Sequence, residues 1–174
     1  TMVTFKPHVT AILNITPDHL DRHKTLENYI AIKESITKNQ DENDFCVLNY
    51  NDPVLREFGK TPRCKVIFFS SSEELESGVF LRGDTMIIKE NGVETPVCTT
   101  KDTSLVGMHN YENIMAAIAM THAMGVPLDT IRQGIKEFTA VEHRIEFVTE
   151  KNGVKYYNDS KGTNPDAAIK AVYA

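Results

Sequence analysis

The sequence predicts an α/β protein with a mostly parallel sheet flanked by helices, a small antiparallel insertion and the start of a second α/β domain. Unbroken apolar runs, such as residues 66–69, suit strands of a parallel sheet that is covered on both faces. Segments with helical spacing of apolar residues alternate with these runs. Asn-Gly pairs at 91–92 and 152–153 are typical of hairpin turns.

The first half of the chain contains three predicted strands, at residues 8–14, 45–49 and 66–69, and a predicted turn at residues 51–53 after the second strand. A helix is expected after Thr25, which is a suitable N-cap. The stripe that predicts this helix comprises Leu26, Tyr29, Ile30, Lys33 and Ile36.

In the middle of the chain, the predicted elements change to short strands joined by tight turns. Short strands at 79–82, 86–89 and 93–97 predict the antiparallel insertion. Two helices should follow, one over about 110–124 and one capped by Asp129.

The helical pattern of apolar residues ends near residues 139–141, and a new strand pattern begins after it. A second hairpin is followed by a polar loop over 158–163, and Asn164 with Pro165 is expected to open a helix. We assign residues 1–141 to part of one domain and 142–174 to the start of another. Because this last unit is too small to bury its own apolar face, we expect the rest of the second domain to follow residue 174.

Composition excludes several classes of protein. The 174 residues are 41% apolar and 25% charged, which is ordinary for a globular protein. A net charge of −5 argues against nucleic-acid or anionic-membrane partners, and the longest apolar run, 114–120, is too short to cross a bilayer. The three cysteines are widely spaced, which is typical of reduced thiols. We therefore expect a cytoplasmic protein that binds neither nucleic acid nor membrane. We also expect a monomer, although composition does not determine the oligomeric state.

Lys33 is unusual because it lies on the apolar stripe of its predicted helix. Its stem could pack there while its ammonium group reaches water. Alternatively, a desolvated lysine with a lowered pKa would be a neutral amine. Such an amine can take up carbon dioxide and become an anionic carbamate, which is an oxygen ligand for a metal ion.

The predicted loop at residues 15–23 is the second candidate. Asp18, His19, Asp21 and His23 are crowded into it and could hold a cation. Magnesium needs only one or two protein ligands because it keeps several waters. The alternative is an ordinary polar loop with a helix-capping aspartate.

Asn110 and Asn113 form the third candidate. Their spacing places both amides on one face of a helix start. An amide offers a donor and an acceptor, which is the pairing that an adenine edge requires. Helix capping would explain one of these asparagines but not both.

Arg144 and Asp159 flank the second hairpin, which should bring them together. They could form an ordinary ion pair. They could also contact a nucleotide, because a guanidinium group binds phosphate and a carboxylate accepts hydrogen bonds from ribose hydroxyls.

Taken in order, these motifs resemble the Mur ligase family, and most closely its members that add D-glutamate. The matching stretches are residues 12–22, 29–33, 107–113, 143–144 and 157–164. The resemblance implies a cytoplasmic enzyme that uses ATP and Mg²⁺ to join D-glutamate to UDP-MurNAc-L-alanine through an acyl phosphate. Gly162 stands where those members commonly have alanine, a change that we expect to be without effect.

The resemblance also implies roles for individual residues. His19 and a carbamylated Lys33 would hold magnesium, and both would be catalytic together with Lys161. The expected ligand contacts are Asn110 and Asn113 with adenine, Arg144 and Asp159 with ribose and phosphates, and Lys161 and Thr163 with the acceptor amino acid or the reacting groups.

In the family, a uridine-nucleotide domain and a phosphate-binding loop would precede residue 1, so we expect the isolated chain to be inactive. Two alternatives remain. A related amide ligase, such as a folylpolyglutamate synthase, is disfavoured by the motif at 158–164. A non-catalytic nucleotide- or metal-binding module would have no use for Lys33.

Overall fold

The apolar runs form three adjacent parallel strands: β1 (Val9–Ile12), β2 (Phe45–Asn49) and β3 (Lys65–Ser70). Their geometry comes from a computed structural model. It describes residues 3–17, 20–139, 141–163 and 165–173, without the side chains of residues 20, 21, 166, 167 and 170. The prediction of a mostly parallel sheet flanked by helices is confirmed.

The predicted antiparallel insertion consists of β4 (Gly78–Arg82), β5 (Thr85–Glu90) and β6 (Val93–Thr99). β4 pairs parallel with β3 and antiparallel with β5, and so the insertion extends the same six-stranded sheet instead of forming a separate layer. Asn91 and Gly92 both have positive φ, as a type I′ hairpin requires.

The described residues of this part of the chain form the α-helices α1 (Leu20–His23), α2 (Leu26–Glu34), α3 (Pro53–Phe58), α4 (Met108–Ala123) and α5 (Leu128–Glu137). Thr25 caps α2 as predicted, accepting a hydrogen bond of 3.2 Å from the Asn28 amide.

Four local predictions need correction. The stretch at residues 15–23 was expected to be a loop throughout, but its last four residues form α1. α2 ends at Glu34, so Ile36 lies in a following 3₁₀ turn. α3 was expected to be a turn, because its Asn-Asp-Pro start is typical of both turns and capped helices. α5 begins after Pro127, which places Asp129 inside its first turn and not at its cap.

Helices cover both faces of the sheet, as the apolar strands require. On one face, Val47 and Phe69 pack with Met115 and Ile118 of α4. On the other, Cys46 and Leu48 are in a cluster with buried residues of α3. The three thiols, Cys46, Cys64 and Cys98, are free and buried. No helix in the described ranges is long and apolar enough to cross a lipid bilayer.

The last part of the chain forms a separate two-stranded sheet, β7 (Glu146–Lys151) and β8 (Val154–Asn158), followed by α6 (Pro165–Val172). Both strands are largely exposed. The separate sheet supports the predicted boundary at residues 141–142, which stays a prediction. Asn164, the expected cap of α6, lies outside the described residues.

Candidate functional site

A cavity of about 780 Å³ lies where the two parts of the chain meet. One wall is the segment that follows β1, at its carboxyl end, which is where ligands bind in parallel α/β sheets. The other walls are the first turn of α4 and the loops that flank the β7–β8 hairpin. Its lining includes Asn14, Lys33, Asn110, Glu112, Asn113, Arg144, Asp159 and Lys161.

Six of the eight predicted site residues line this cavity, namely Lys33, Asn110, Asn113, Arg144, Asp159 and Lys161. Thr163 is exposed and is not among the lining residues. His19 lies outside the described residues. Residues from distant points of the sequence thus converge, as a ligand site requires.

Lys33 lies at the edge of the cavity on α2. Its Nζ donates a hydrogen bond of 3.1 Å to the Asn14 carbonyl and lies 4.9 Å from the centre of the Tyr29 ring. The stem also lines a smaller apolar cavity beside Ile32 and Ile36. This geometry agrees with the interpretation in which the stem of Lys33 packs and its ammonium group stays at the surface, and the carbamate stays a prediction.

Asp52 fixes the segment that follows β1. One of its carboxylate oxygens accepts a hydrogen bond of 2.7 Å from the Ile15 amide. The other caps α3 by accepting from the amides of Val54 and Leu55. The cavity wall at residues 13–17 is therefore tied to the start of a helix.

The two asparagines of α4 are not its N-cap. That position is held by Gly107, whose φ of 95° favours glycine, and it makes no side-chain capping bond. Asn110 Nδ2 donates to the Val106 carbonyl at 2.7 Å, which leaves its Oδ1 available. Asn113 lines the cavity and makes no hydrogen bond to the described part of the protein through its side chain. Both amides therefore retain hydrogen-bonding capacity for a ligand.

Arg144 and Asp159 do not form the simple ion pair that was one alternative, at least within the described ranges. Asp159 Oδ1 instead accepts a hydrogen bond of 3.1 Å from the Ile145 amide. His143 and Ile145, on either side of Arg144, have φ values of 69° and 47°. Such values are costly for these residue types, so the turn must be held by its surroundings.

Two contacts of the 158–162 loop hold this turn at His143. Asn158 Nδ2 lies 2.8 Å from His143 Nδ1, and the Lys161 amide donates to the His143 carbonyl at 3.1 Å. Asn158 Oδ1 accepts from the Ser160 amide, which orients the side chain so that its NH₂ group faces the imidazole. In this orientation Nδ1 of His143 accepts the hydrogen bond from Asn158.

Gly162 packs tightly against Asp159. A Cβ atom at position 162 would lie 2.5 Å from Asp159 Oδ2 and 3.2 Å from the Asp159 carbonyl oxygen. The structure therefore argues against the expectation that glycine and alanine are equivalent here.

Sequence reasoning missed Glu112 and the segment that follows β1 as parts of the site. Asn14 and Thr16 are polar residues directly after a buried parallel strand, and this signal could have identified them. Glu112 lies in the sequence between the two predicted asparagines, but no spacing or motif indicated a role for this residue. No cluster of three His, Cys, Asp or Glu side chains suited to a metal ion occurs among the residues that the structure describes.

Comparison with known proteins places this geometry in a family. The profile of the Mur ligase middle domain matches residues 1–121. The chain belongs to the Mur ligase family. It is 53% identical over all 174 residues to the UDP-N-acetylmuramoylalanine–D-glutamate ligase of Lachnoclostridium phytofermentans, and 49% identical to that of Lachnospira eligens.

The chain spans only 38% and 39% of the lengths of these two Mur ligases. Solved structures agree on the fold. The MurF crystal structure from Acinetobacter baumannii matches 96% of the chain and 37% of its own length, with a TM-score of 0.76 at 22% identity. MurF from Thermotoga maritima in complex with ADP matches 96% of the chain and 38% of its own length, with a TM-score of 0.69 at 21% identity.

Proposed function

We propose that this chain is the central part of a ligase that uses ATP to join D-glutamate to UDP-MurNAc-L-alanine. One observation carries the proposal. Two amides, Asn110 and Asn113, share a cavity with the cationic side chains of Lys33, Arg144 and Lys161. The high identity to D-glutamate ligases over the whole chain supports this choice of substrates.

The cavity suits a nucleoside triphosphate in both size and chemistry. Asn110 and Asn113 would contact the adenine edge, because their amides retain donors and acceptors. Arg144 would bind phosphate, and Asp159 Oδ2 would accept from ribose, since Oδ1 is already used by Ile145. Activation of the substrate carboxylate as an acyl phosphate is the chemistry that ATP supplies when bound.

Lys33 and Lys161 both line the cavity, Lys33 from α2 and Lys161 from the loop after β8. Negative charge accumulates during acyl phosphate formation and during displacement of phosphate by the D-glutamate amine. We propose that Lys161 stabilises this charge and that Thr163 lies near the acceptor. Bound Mg²⁺ would supply further charge stabilisation, with His19 and a carbamylated Lys33 as its protein ligands.

Residues 1–141 would then be part of the ATP-binding domain and residues 142–174 the start of the next domain. We also propose that the protein acts as a cytoplasmic monomer without nucleic-acid or membrane partners. Its proposed substrates are small and anionic. Because the chain has a net charge of −5, we expect these substrates to bind at the cationic side chains that line the cavity.

An exchange experiment tests the ligase function directly. The 174 residues replace the matching 38% of the Lachnoclostridium ligase, and D-glutamate-dependent phosphate release is measured. We expect an active hybrid that is specific for UDP-MurNAc-L-alanine, and an isolated chain that releases no phosphate. A well-folded hybrid that binds ATP but does not ligate would favour a nucleotide-binding module instead.

A further inference from the structure

A chain of polar contacts links the ends of the parallel strands to α4. Asn49, at the end of β2, donates to the Leu13 carbonyl at 3.1 Å and accepts from the Asn51 amide at 2.9 Å. Asn51 Nδ2 donates to the hydroxyls of Ser71 and Ser72 at 3.1 and 2.8 Å. These residues are distant in sequence but lie at one edge of the sheet.

The direction of these hydrogen bonds is fixed by the backbone. Asn51 Oδ1 accepts from the Ser71 amide, which can only donate, and from the Ser70 hydroxyl. Its Nδ2 must therefore face Ser71 Oγ. Because that oxygen accepts from Asn51, its own hydrogen is free to be donated to another group.

That other group is Glu112. Ser71 Oγ donates to Glu112 Oε1 at a distance of 2.7 Å, and Glu112 lines the cavity on the first turns of α4. Asn110 and Asn113 lie on either side of it in sequence. Among the residues that the structure describes, no side chain caps this helix end, and its start at Gly107 has a conformation that glycine adopts easily. The Ser71–Glu112 hydrogen bond is therefore an anchor between the sheet and the helix end that carries both amides.

We propose that Ser71 and Glu112 are positioning residues that hold Asn110 and Asn113 in register with the purine edge of the bound nucleotide. This inference rests on the proposed function. A shift of one ångström at the helix start would misalign two paired hydrogen bonds at once, while leaving the cationic groups elsewhere in the cavity in place. The anchor should therefore control base discrimination more than phosphate binding.

The test compares the affinities of the Lachnoclostridium hybrid for ATP and for purine riboside triphosphate, which lacks the 6-amino group. We expect the wild type to prefer ATP, and Ser71→Ala to reduce this preference about five- to tenfold, as expected for poorly aligned base contacts. Ser72→Ala is the matched control, because the Ser72 hydroxyl also accepts from Asn51 at 2.8 Å, whereas in the described part of the chain the hydrogen bond to Glu112 comes from Ser71. Glu112→Gln keeps an acceptor oxygen and should resemble the wild type.

The outcomes separate the two proposals. An unchanged preference in Ser71→Ala, with wild-type binding intact, overturns the positioning role alone. Equal weakening of both nucleotides also overturns it, because that result indicates a structural effect only. A folded hybrid without further substitutions that binds neither nucleotide contradicts the proposed function and this inference with it. Thermal unfolding of each variant shows whether the fold is retained.

Discussion

The Ile145 amide donates a hydrogen bond to Asp159 Oδ1, and this contact joins the two ends of the β7–β8 hairpin beside the cavity. It also occupies one oxygen of a carboxylate whose other oxygen lies over Gly162. Arg144 lies between two residues with left-handed backbone conformations. The placement of Arg144 therefore depends on its neighbours as much as on its own side chain.

His143 is expected to influence nucleotide binding through this turn. His143→Gly relieves the backbone strain but removes the acceptor for Asn158, and it should weaken ATP binding by the Lachnoclostridium hybrid about fivefold, the effect of losing one hydrogen bond. His143→Asn tolerates positive φ and offers an amide oxygen near the position of Nδ1, so it should bind like the wild type. Isothermal titration calorimetry measures both affinities. Equal affinities of the two variants would contradict the role of the acceptor.

Gly162→Ala is expected to displace the Asp159 carboxylate and weaken its hydrogen bond with Ile145. Exchange of the Ile145 amide with solvent deuterium should become faster, and ATP affinity should fall about two- to fivefold. Gly134→Ala is a matched control, because no atom lies within 4 Å of a Cβ placed there. Unchanged exchange at Ile145 would show that the loop accommodates alanine.

Lys33→Ala tests the carbamate hypothesis in the Lachnoclostridium hybrid. Loss of a group that stabilises developing charge should lower kcat about a hundredfold or more. A short carboxylate such as formate should restore part of the activity, and removal of bicarbonate should inhibit the unsubstituted hybrid. Lys33→Arg keeps the charge but cannot form this carbamate. If Lys33→Arg is fully active, the lysine acts only as a cation.

Phe69→Ala should destabilise the fold through a cavity in the core. Phe69 is fully buried in the cluster between the sheet and α4. Truncation of a buried phenylalanine costs about 3–5 kcal/mol. Urea unfolding followed by circular dichroism measures the loss in free energy of unfolding. Val93→Ala, at a side chain that is 65% exposed, is the control and should change it little.

Asp44 predicts a specific acid sensitivity. Its carboxylate accepts from the Asp41 amide and from His8 and also lies 3.1 Å from Lys6 Nζ, and these contacts lower its pKa from 3.8 to about 2. A lowered pKa in the folded state stabilises the protein above pH 3.8, and this contribution is lost as the pH falls towards 2. Asp44→Asn should therefore flatten the decrease in stability over that range. An unchanged pH profile of the unfolding free energy would refute this.

The sequence pattern predicted most of the sheet. An unbroken apolar run is typical of a strand that is buried on both faces, and β2 and β3 are such strands. The pattern could not predict that β4 pairs with β3, since strand neighbours are chosen by tertiary packing. α3 was missed because it is only six residues long and begins with a turn-like Asn-Asp-Pro sequence.

In the candidate site, too, some residues could be predicted from the sequence and others only from the fold. Motifs identified Lys33, Asn110 and Arg144, whose residue types and spacing carry the chemistry. The contact of Glu112 could not be predicted from the adjacent residues in the sequence. Its partner Ser71 is 41 positions away, and only the folded sheet brings it close, at the end of β3. Backbone strain at His143 and Ile145 likewise appears only once the hairpin and its flanking loops are folded.

Burial of the three thiols also has a practical consequence for reagents that attack cysteine. Removal from water raises the pKa of Cys46 to about 12 and that of Cys98 to about 11, and it raises the pKa of Cys64 as well. Alkylating probes react with thiolates, so the natural cysteines should remain nearly inert near neutral pH. One cysteine introduced at the exposed Thr163 could therefore carry a fluorophore beside the cavity without any of the native thiols being removed.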